Sequence, residues 1–278
     1  MTFSPFDSPI YSTLYGDAEV RALFTDSAEV RAMLLVEGTL AKVQGELGLI
    51  PLDSALYIHR ASMEVQVDPA GLAAGMAETG SPVAAMVTAF GKAMEAPDHA
   101  KYIHCGAGSQ DIPNTALVLR LRQYLRLIDT RLEVLITKGQ FAELAQARQQ
   151  LQAVQAKLLA VRFAGDGSIT NISEVEAALA EALKLSIPTV PMRDVIAELV
   201  AEISQITTLL AEITKDFPAS IHREVLETMA IFIKNQLGQT PLQTRENVVL
   251  ALEKLALAQV CIAGSVALKH AQIIADQL

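Results

Sequence analysis

One segment of the sequence combines residue types that could bind a small anion and move a proton. It reads Tyr-Ile-His-Cys-Gly-Ala-Gly-Ser-Gln-Asp-Ile-Pro-Asn-Thr over residues 102–115. Its small residues, up to Ser109, precede a predicted long helix, and backbone N–H groups at a helix N-terminus favour a carboxylate or a phosphate. Gln110 and Thr115 could add side-chain donors, and His104 could act as an acid, a base or a hydrogen-bond donor.

The same segment also has a purely structural interpretation. Ser109 or Asp111 would cap the helix, and the glycines would turn the chain. Capped helices far outnumber anion sites, so the residues taken alone favour this alternative. If the segment does bind a carboxylate, the substrate-binding candidates are His104, Ser109, Gln110, Asp111 and Thr115, and His104 is the candidate for catalysis.

The rest of the chain contains no comparable pattern. Its other histidines are His59, His99, His222 and His270. They lack the three- or four-residue spacing of a metal-binding helix face, so the sequence predicts no metal site. Cys105 and Cys261 are expected to be reduced thiols with structural roles. No phosphate loop, dinucleotide-binding motif or nucleophile elbow occurs, and no cofactor is expected.

Short helices are expected to lead up to this segment. Asp26, with Glu29 three residues later, predicts a capped helix over residues 26–48. Asp68 and Ser81 each stand directly before a proline. A capping side chain followed by a first-turn proline is typical of a helix start, so two further short helices are predicted to begin there.

Long helices are expected after the segment. Apolar residues recur at three- and four-residue steps over residues 111–137 and 192–215. The last helix, from about residue 244 to the C-terminus, is apolar nearly all round and must be covered on all sides. The sequence therefore predicts an all-α protein: an N-terminal helical section over residues 1–110, and a long-helix bundle over residues 111–278 that forms the core of an oligomer.

Composition and charge argue against several classes of function. Hydrophobic residues make up 51% of the 278 residues and aromatic residues only 5%, which predicts a large aliphatic core of packed helices. The net charge of -9, without a cluster of Lys and Arg, argues against nucleic acid as a partner. The longest apolar run is shorter than the roughly 20 residues that span a bilayer, and no secretory signal is visible. We therefore expect a cytoplasmic protein without a membrane partner.

The segment around Ser109 resembles a known family signature. The pattern His-x-Gly-Ala-x-Ser-Gln-Asp-x-x-x-Thr over residues 104–115 is similar to the first signature of the fumarase/adenylosuccinate lyase superfamily, in the form found in bacterial 3-carboxy-cis,cis-muconate cycloisomerases. Residues 23–34 and 36–51 support the resemblance. It implies a truncated helical bundle of the fumarase/aspartase type and a homo-oligomer, dimer or tetramer, whose active sites combine three subunits. The implied chemistry is addition or elimination next to a carboxylate.

The chain also departs from the family pattern. A mobile Gly-Ser-Ser-x-x-Met-Pro-x-Lys-x-Asn-Pro loop supplies the base of the family, and this sequence contains neither a Ser-Ser nor an Asn-Pro pair. Gly108 stands where threonine is usual, and residues 137–140 are the remnant of a second signature. The resemblance thus implies a diverged 3-carboxy-cis,cis-muconate cycloisomerase-like protein that lacks its own catalytic base. The alternatives are a non-catalytic paralogue that binds a polycarboxylate or pairs with a full-length lyase subunit, and a structural bundle without a ligand.

Overall fold

The fold is taken from a computed structural model that describes residues 4–237 and 246–277, with the backbone alone described for residues 237 and 246–255. Within these ranges the chain forms thirteen α-helices and no β-strand, which confirms the predicted all-α class. The helices are α1 (Ser12–Tyr15), α2 (Ala18–Leu23), α3 (Asp26–Glu46), α4 (Leu52–Glu64), α5 (Ala73–Thr79), α6 (Val83–Ala93), α7 (Pro97–Ala100), α8 (Asp111–Ile136), α9 (Leu144–Leu158), α10 (Ile172–Leu183), α11 (Met192–Ile213), α12 (Ile221–Leu237) and α13 (Glu246–Asp276).

Helix α3 is capped by the residue before the predicted one. The side chain of Thr25 accepts a hydrogen bond from the N–H of Ala28 at 3.2 Å. The prediction of a cap at Asp26 was therefore wrong. Asp26 is instead the first helical residue, where its negative carboxylate interacts favourably with the positive end of the helix dipole. The predicted end near Gly48 is confirmed, since α3 ends at Glu46 and Gly48 adopts a positive φ of 72°.

The two predicted proline starts are confirmed. Asp68 caps the turn that follows it, because its carboxylate accepts a hydrogen bond from the N–H of Ala70 at 3.0 Å. This turn is a 3₁₀ helix, Pro69–Leu72, and it continues directly into α5. Helix α5 then ends at Gly80, which adopts a left-handed conformation. Helix α6 begins at Val83, directly after Ser81 and Pro82, but its N-cap is Pro82 and has no side-chain cap, so the predicted cap at Ser81 was wrong.

The long helices also form as predicted. The apolar stripe of α8 is buried at Leu121, Leu125, Ile128, Leu132 and Leu135. Helix α11 covers almost the whole predicted range and likewise buries its apolar stripe. The predicted start of the last helix near residue 244 lies outside the described residues. Helices α9 and α12 were not predicted from the sequence.

The helices group into two compact units that each combine separate segments of the chain. The first unit consists of Met1–Phe24, Gln123–Ala156 and Pro191–Leu278, and the second of Thr25–Arg122 and Lys157–Val190. The linear division into residues 1–110 and 111–278 stays a prediction.

In the second unit, α3 and α4 approach each other closely through two glycines. A Cβ atom at Gly38 would overlap the Ser62 side chain, and one at Gly45 would overlap the methyl group of Ala55. Glycine permits this approach because it lacks a side chain. The face of α3 against α4 is therefore fixed by Gly38 and Gly45, and another face of α3 is available to position the segment around Ser109.

In the first unit, α13 packs against α11, α12 and α2. Residues Ala256–Asp276 form the one described helical stretch that is long and apolar enough to cross a membrane, and 72% of the stretch tested is buried inside the protein. Val260, Cys261, Ala263 and Val266 are each at most 1% exposed. Most of this stretch is thus covered, in line with the expectation that the last helix must be covered. Because the chain itself buries most of the stretch Ala256–Asp276, this stretch alone does not require a partner subunit.

Candidate functional site

His104 forms the most distinctive polar contact of the segment. Its Nδ1 atom lies 2.7 Å from Oε1 of Glu37, whose side chain is fully buried on α3, while the His104 side chain is 21% exposed. His104 also has a positive φ of 62°, which is uncommon for a residue with a side chain. Such a backbone conformation persists only where the surroundings hold it, and it is enriched at functional sites.

The charge state of His104 is set by its surroundings. Burial alone would lower the pKa of the imidazole. The hydrogen bond and charge of Glu37, together with the nearby carboxylates of Asp111 and Asp166, outweigh burial and raise the pKa above its ordinary value. The ring therefore keeps its second proton to a higher pH than an ordinary histidine does, and in that form it can donate a hydrogen bond from its other ring nitrogen.

The Asp111 carboxylate already accepts hydrogen bonds from backbone N–H groups of this segment and of the loop after α9. It accepts hydrogen bonds from the N–H groups of Gly108 at 2.8 Å, Gly165 at 2.8 Å and Ala164 at 3.0 Å. The residue is 6% exposed. Asp111 thus ties the loop before α8 to the loop after α9. The glycine-rich backbone does bind a carboxylate here, and that carboxylate belongs to the chain itself.

Thr115 is also engaged within the protein. Its hydroxyl accepts a hydrogen bond from the N–H of Arg162 at 2.9 Å and donates one to the carbonyl oxygen of Arg162 at 3.1 Å. The side chain is fully buried. Both of its hydrogen-bonding functions therefore serve to fix the backbone at Arg162.

Ser109 and Gln110 remain open to a ligand. Ser109 is exposed and Gln110 is half-buried. The Gln110 carbonyl accepts the hydrogen bond of Asn114 at 3.0 Å, which places Gln110 at the N-cap of α8. The N–H groups of Ser109 and Gln110 donate to no other residue in the described ranges. These two residues therefore supply the free donors at the positive end of a 26-residue helix.

Sequence reasoning missed two buried polar residues on α3. Besides Glu37, Gln44 contacts the segment, because its Nε2 atom donates a hydrogen bond to the carbonyl oxygen of Cys105 at 2.6 Å. Glu37 and Gln44 are 1% and 0% exposed. Seven residues separate them, which places both on the same side of the helix. This spacing, on a side of the helix that is otherwise apolar at Met33, Leu34, Leu40 and Ala41, is the signal that could have identified them.

The first unit holds a contact between two of the histidines that lack the spacing of a metal-binding helix face. Nδ1 of His222 lies 2.8 Å from Nδ1 of His270, and Nε2 of His270 lies 2.8 Å from the carbonyl oxygen of Leu14. A carbonyl oxygen only accepts, so the network assigns the His270 proton to Nε2 and leaves its Nδ1 to accept from His222. Helical spacing could not reveal a pair that is 48 residues apart.

Residues 4–237 and the described side chains of α13 bring together no group of three or more His, Cys, Asp or Glu that could hold a metal ion. Both cysteines carry free thiols, and Cys261 is fully buried. Burial raises the pKa of the Cys261 thiol far above its ordinary value, so it is not a nucleophile.

Comparisons with known proteins agree with this architecture. No protein-family model matches the chain. The chain is 26% identical over 291 positions to 3-carboxy-cis,cis-muconate cycloisomerase of Pseudomonas aeruginosa, with 90% of this chain covered. It is 28% identical over 298 positions to N-acetyl-S-(2-succino)cysteine lyase of Enterococcus italicus, with 92% covered. A solved 3-carboxy-cis,cis-muconate lactonizing enzyme from Pseudomonas putida matches with a TM-score of 0.88 at 25% identity, over 97% of this chain and 76% of that one.

These similarities, with the all-helical fold and the signature around Ser109, place the chain in the fumarase/adenylosuccinate lyase superfamily. Within that superfamily it is similar to the 3-carboxy-cis,cis-muconate cycloisomerases. The chain spans 63% and 64% of the length of the two curated relatives described above. Both alignments extend over more positions than the chain has residues, so the relatives contain internal residues that have no counterpart here.

Proposed function

We propose that this protein is a diverged 3-carboxy-cis,cis-muconate cycloisomerase-like protein that binds a small polycarboxylate at the Ser109 segment and has little catalysis of its own. The observation that carries the proposal is the Glu37–His104 pair. It raises the pKa of His104, in a loop that also presents the free N–H groups of Ser109 and Gln110 at a helix N-terminus. A cationic ring and free backbone donors are suited to a carboxylate.

An anion-binding loop by itself does not make an enzyme. Holding the carboxylates equally well before and at the transition state does not raise kcat. The family reaction also needs a positioned proton-transfer group, which typically contributes roughly 10²–10⁴-fold. The serine loop that supplies it in the family has no counterpart in this sequence. His104 is the one candidate for any residual proton transfer, because it is the histidine of the segment.

Exposed apolar side chains of the first unit favour assembly with other chains. Ile10, Tyr11 and Ile231 are 80%, 52% and 62% exposed. Apolar side chains this exposed would lose contact with water in an interface with another chain. We propose a cytoplasmic homo-oligomer, a dimer or tetramer, and as a second candidate function a complex with a full-length lyase subunit that supplies the missing groups. A stable monomer in light scattering at micromolar concentration would contradict the homo-oligomer.

Turnover is tested with the purified protein, alone and mixed with a full-length homologue. The substrates are 3-carboxy-cis,cis-muconate, adenylosuccinate and fumarate. We expect no family-like turnover by the chain alone, and any residual activity should disappear in His104→Gln. Robust turnover by the chain alone would overturn the non-catalytic proposal. Activity that appears only in the mixture, above that of the homologue, would support the shared complex.

Binding is tested separately from turnover. Dicarboxylates and tricarboxylates are expected to raise the melting temperature, and Ser109→Ala should weaken binding by about 0.5–1.5 kcal/mol through the loss of one donor. Ser173→Ala, at an exposed serine on α10, is the matched control and should bind as the wild type does. If no polycarboxylate stabilises the protein at millimolar concentration, the Ser109 segment has only a structural role.

A further inference from the structure

Arg162 is a buried arginine with an unpaired edge. The residue is 9% exposed, and its Nη1 atom donates a hydrogen bond to the carbonyl oxygen of Val190 at 2.7 Å. Its Nε and Nη2 atoms are buried and have no hydrogen-bond partner among the residues that the structure describes. Burying N–H groups of a charged side chain without an acceptor is costly, so this edge requires a partner.

The two unpaired nitrogens lie on the same edge of the guanidinium. In an arginine side chain, the Nε–H and one Nη2–H point in the same direction, and together they match the two oxygens of a carboxylate. The chain itself provides an example. Arg148 binds Asp129 through this edge, with distances of 2.7 Å from Nε to Oδ1 and 2.8 Å from Nη2 to Oδ2.

The free edge of Arg162 is held in place from two sides. Thr115 fixes the backbone of Arg162 through two hydrogen bonds, and the Val190 carbonyl fixes one end of the guanidinium. Preorganisation of this kind lowers the entropic cost of binding a ligand. Arg162 therefore differs from an exposed arginine, whose side chain must be ordered when the ligand binds.

Neighbouring carboxylates do not satisfy the edge. Asp111 accepts three backbone hydrogen bonds, none from Arg162. Glu176 is half-buried and close enough for each charge to affect the pKa of the other, but it forms no ion pair with Arg162. Burial raises the pKa of Glu176, and the charge of Asp111 adds to this effect. Neither carboxylate therefore accepts a hydrogen bond from the Nε and Nη2 edge of Arg162.

We infer that the Nε and Nη2 edge of Arg162 binds one carboxylate group of a small ligand, through two parallel hydrogen bonds. The site is formed by Arg162, with Thr115 and Val190 as its supports and Glu176 as the neighbouring charge. It does not depend on whether the Ser109 segment binds an anion. The ligand class is a small carboxylic acid anion, because the planar edge matches two coplanar oxygens.

The test is a titration of the protein with succinate, followed by NMR on protein labelled with ¹⁵N-arginine. Sodium chloride at matched ionic strength is the control. The Nε–H signal of Arg162, identified by its loss in Arg162→Lys, should move saturably with succinate and not with chloride. Arg162→Lys keeps the charge but loses the planar edge, so it should bind succinate about tenfold more weakly or worse.

Two further variants test whether the response to succinate comes from the free edge of Arg162 and whether Glu176 affects it. Arg148→Lys is the matched control, because its edge is occupied by Asp129, and it should leave the response of Arg162 to succinate unchanged. Glu176→Gln removes the neighbouring negative charge and should bind succinate at least as tightly as the wild type.

Several results would overturn the inference. An Arg162 signal that does not respond to succinate would do so, as would equal affinity in Arg162→Lys. A third result would be that Glu176→Gln shifts the Arg162 signal strongly in the absence of ligand, while no variant responds to succinate. It would mean that Glu176 occupies the edge in solution. The Arg162 signal reports this site alone, and backbone signals of Ser109 and Gln110 report the proposed polycarboxylate site, so the two proposals can fail separately.

Discussion

Glu37 and His104 are 67 residues apart in the sequence and 2.7 Å apart at their nearest side-chain atoms. The carboxylate is fully buried on α3, and the imidazole belongs to the loop before α8. One oxygen of Glu37 accepts from His104, and the other, Oε2, is buried without a partner in the described part of the chain. The hydrogen bond from His104 is therefore the one interaction described for the buried side chain of Glu37.

We expect Glu37→Gln to lower the pKa of His104 and to reduce the free energy of unfolding by about 1–3 kcal/mol, since it removes a charge-assisted hydrogen bond. An NMR titration of the His104 ring and denaturant unfolding measure the two effects. Glu78→Gln, at an exposed carboxylate in the same unit, is the control and should change neither quantity. An unchanged His104 pKa in Glu37→Gln would show that the pair does not set the charge of the ring.

His270 predicts a loss of stability in acid. Its burial, with the charges of His222 and Lys269 nearby, lowers the pKa of His270 below its ordinary value. The unfolded chain therefore takes up this proton at a higher pH than the folded chain. The contribution to stability is complete above about pH 6.5 and is lost as the pH falls from there through the folded pKa.

The measurement is the free energy of unfolding of the wild type and of His270→Gln across this range. The variant should show a shallower dependence on pH below about pH 6.5. His59 also has a lowered pKa because of burial, so His59→Gln is measured alongside to separate the two contributions. Identical pH profiles of wild type and His270→Gln would contradict the prediction.

Removing the Asp111 carboxylate should loosen two loops at once. Asp111→Ala leaves the N–H groups of Gly108, Ala164 and Gly165 without their acceptor. A hydrogen bond to a charged group contributes about 1.5–3 kcal/mol, so the loss of three should give one of the largest losses of stability for a single substitution in this unit. Hydrogen exchange of those three amides should accelerate together. Exchange that accelerates at only one of them would show that the loops are held independently.

Two glycine substitutions form a matched pair. Gly45→Ala would force a methyl group against Ala55, whereas Gly71→Ala adds its methyl group in open space. Overpacking between helices typically costs about 1–3 kcal/mol. Gly71→Ala should be neutral or stabilising by up to about 1 kcal/mol, since it restricts the unfolded chain. Thermal unfolding compares them, and equal stability of the two variants would mean that α3 and α4 separate without cost.

Local signals in the sequence predicted much of the fold. The capping residue at Asp68, the prolines and the apolar stripes of α8 and α11 act within a few residues, so they can be recognised without the tertiary structure. Helix α12 has the same kind of signal at Val225, Met229 and Ile233, which are buried at four-residue steps, and it was overlooked.

The site was less predictable than the fold. The sequence indicated the correct segment, but the roles within it depend on partners that are distant in the chain. Asp111 could be seen as a cap, and only the structure shows that it binds the N–H groups of residues 164 and 165. The unpaired edge of Arg162 is likewise a product of tertiary burial, which no spacing along the sequence could indicate.

Helix α3 repeats one short pattern, a buried polar residue followed by a glycine, at Glu37-Gly38 and again at Gln44-Gly45. The glycines allow α3 to pack closely on α4, and the polar residues contact His104 and Cys105. Because each pair is joined within one rigid helix, the register of α3 on α4 also sets the hydrogen-bond geometry of the loop. One residue inserted between the pairs would rotate them apart by about 100°, so the site should tolerate length changes in α3 far less well than changes at its exposed surface.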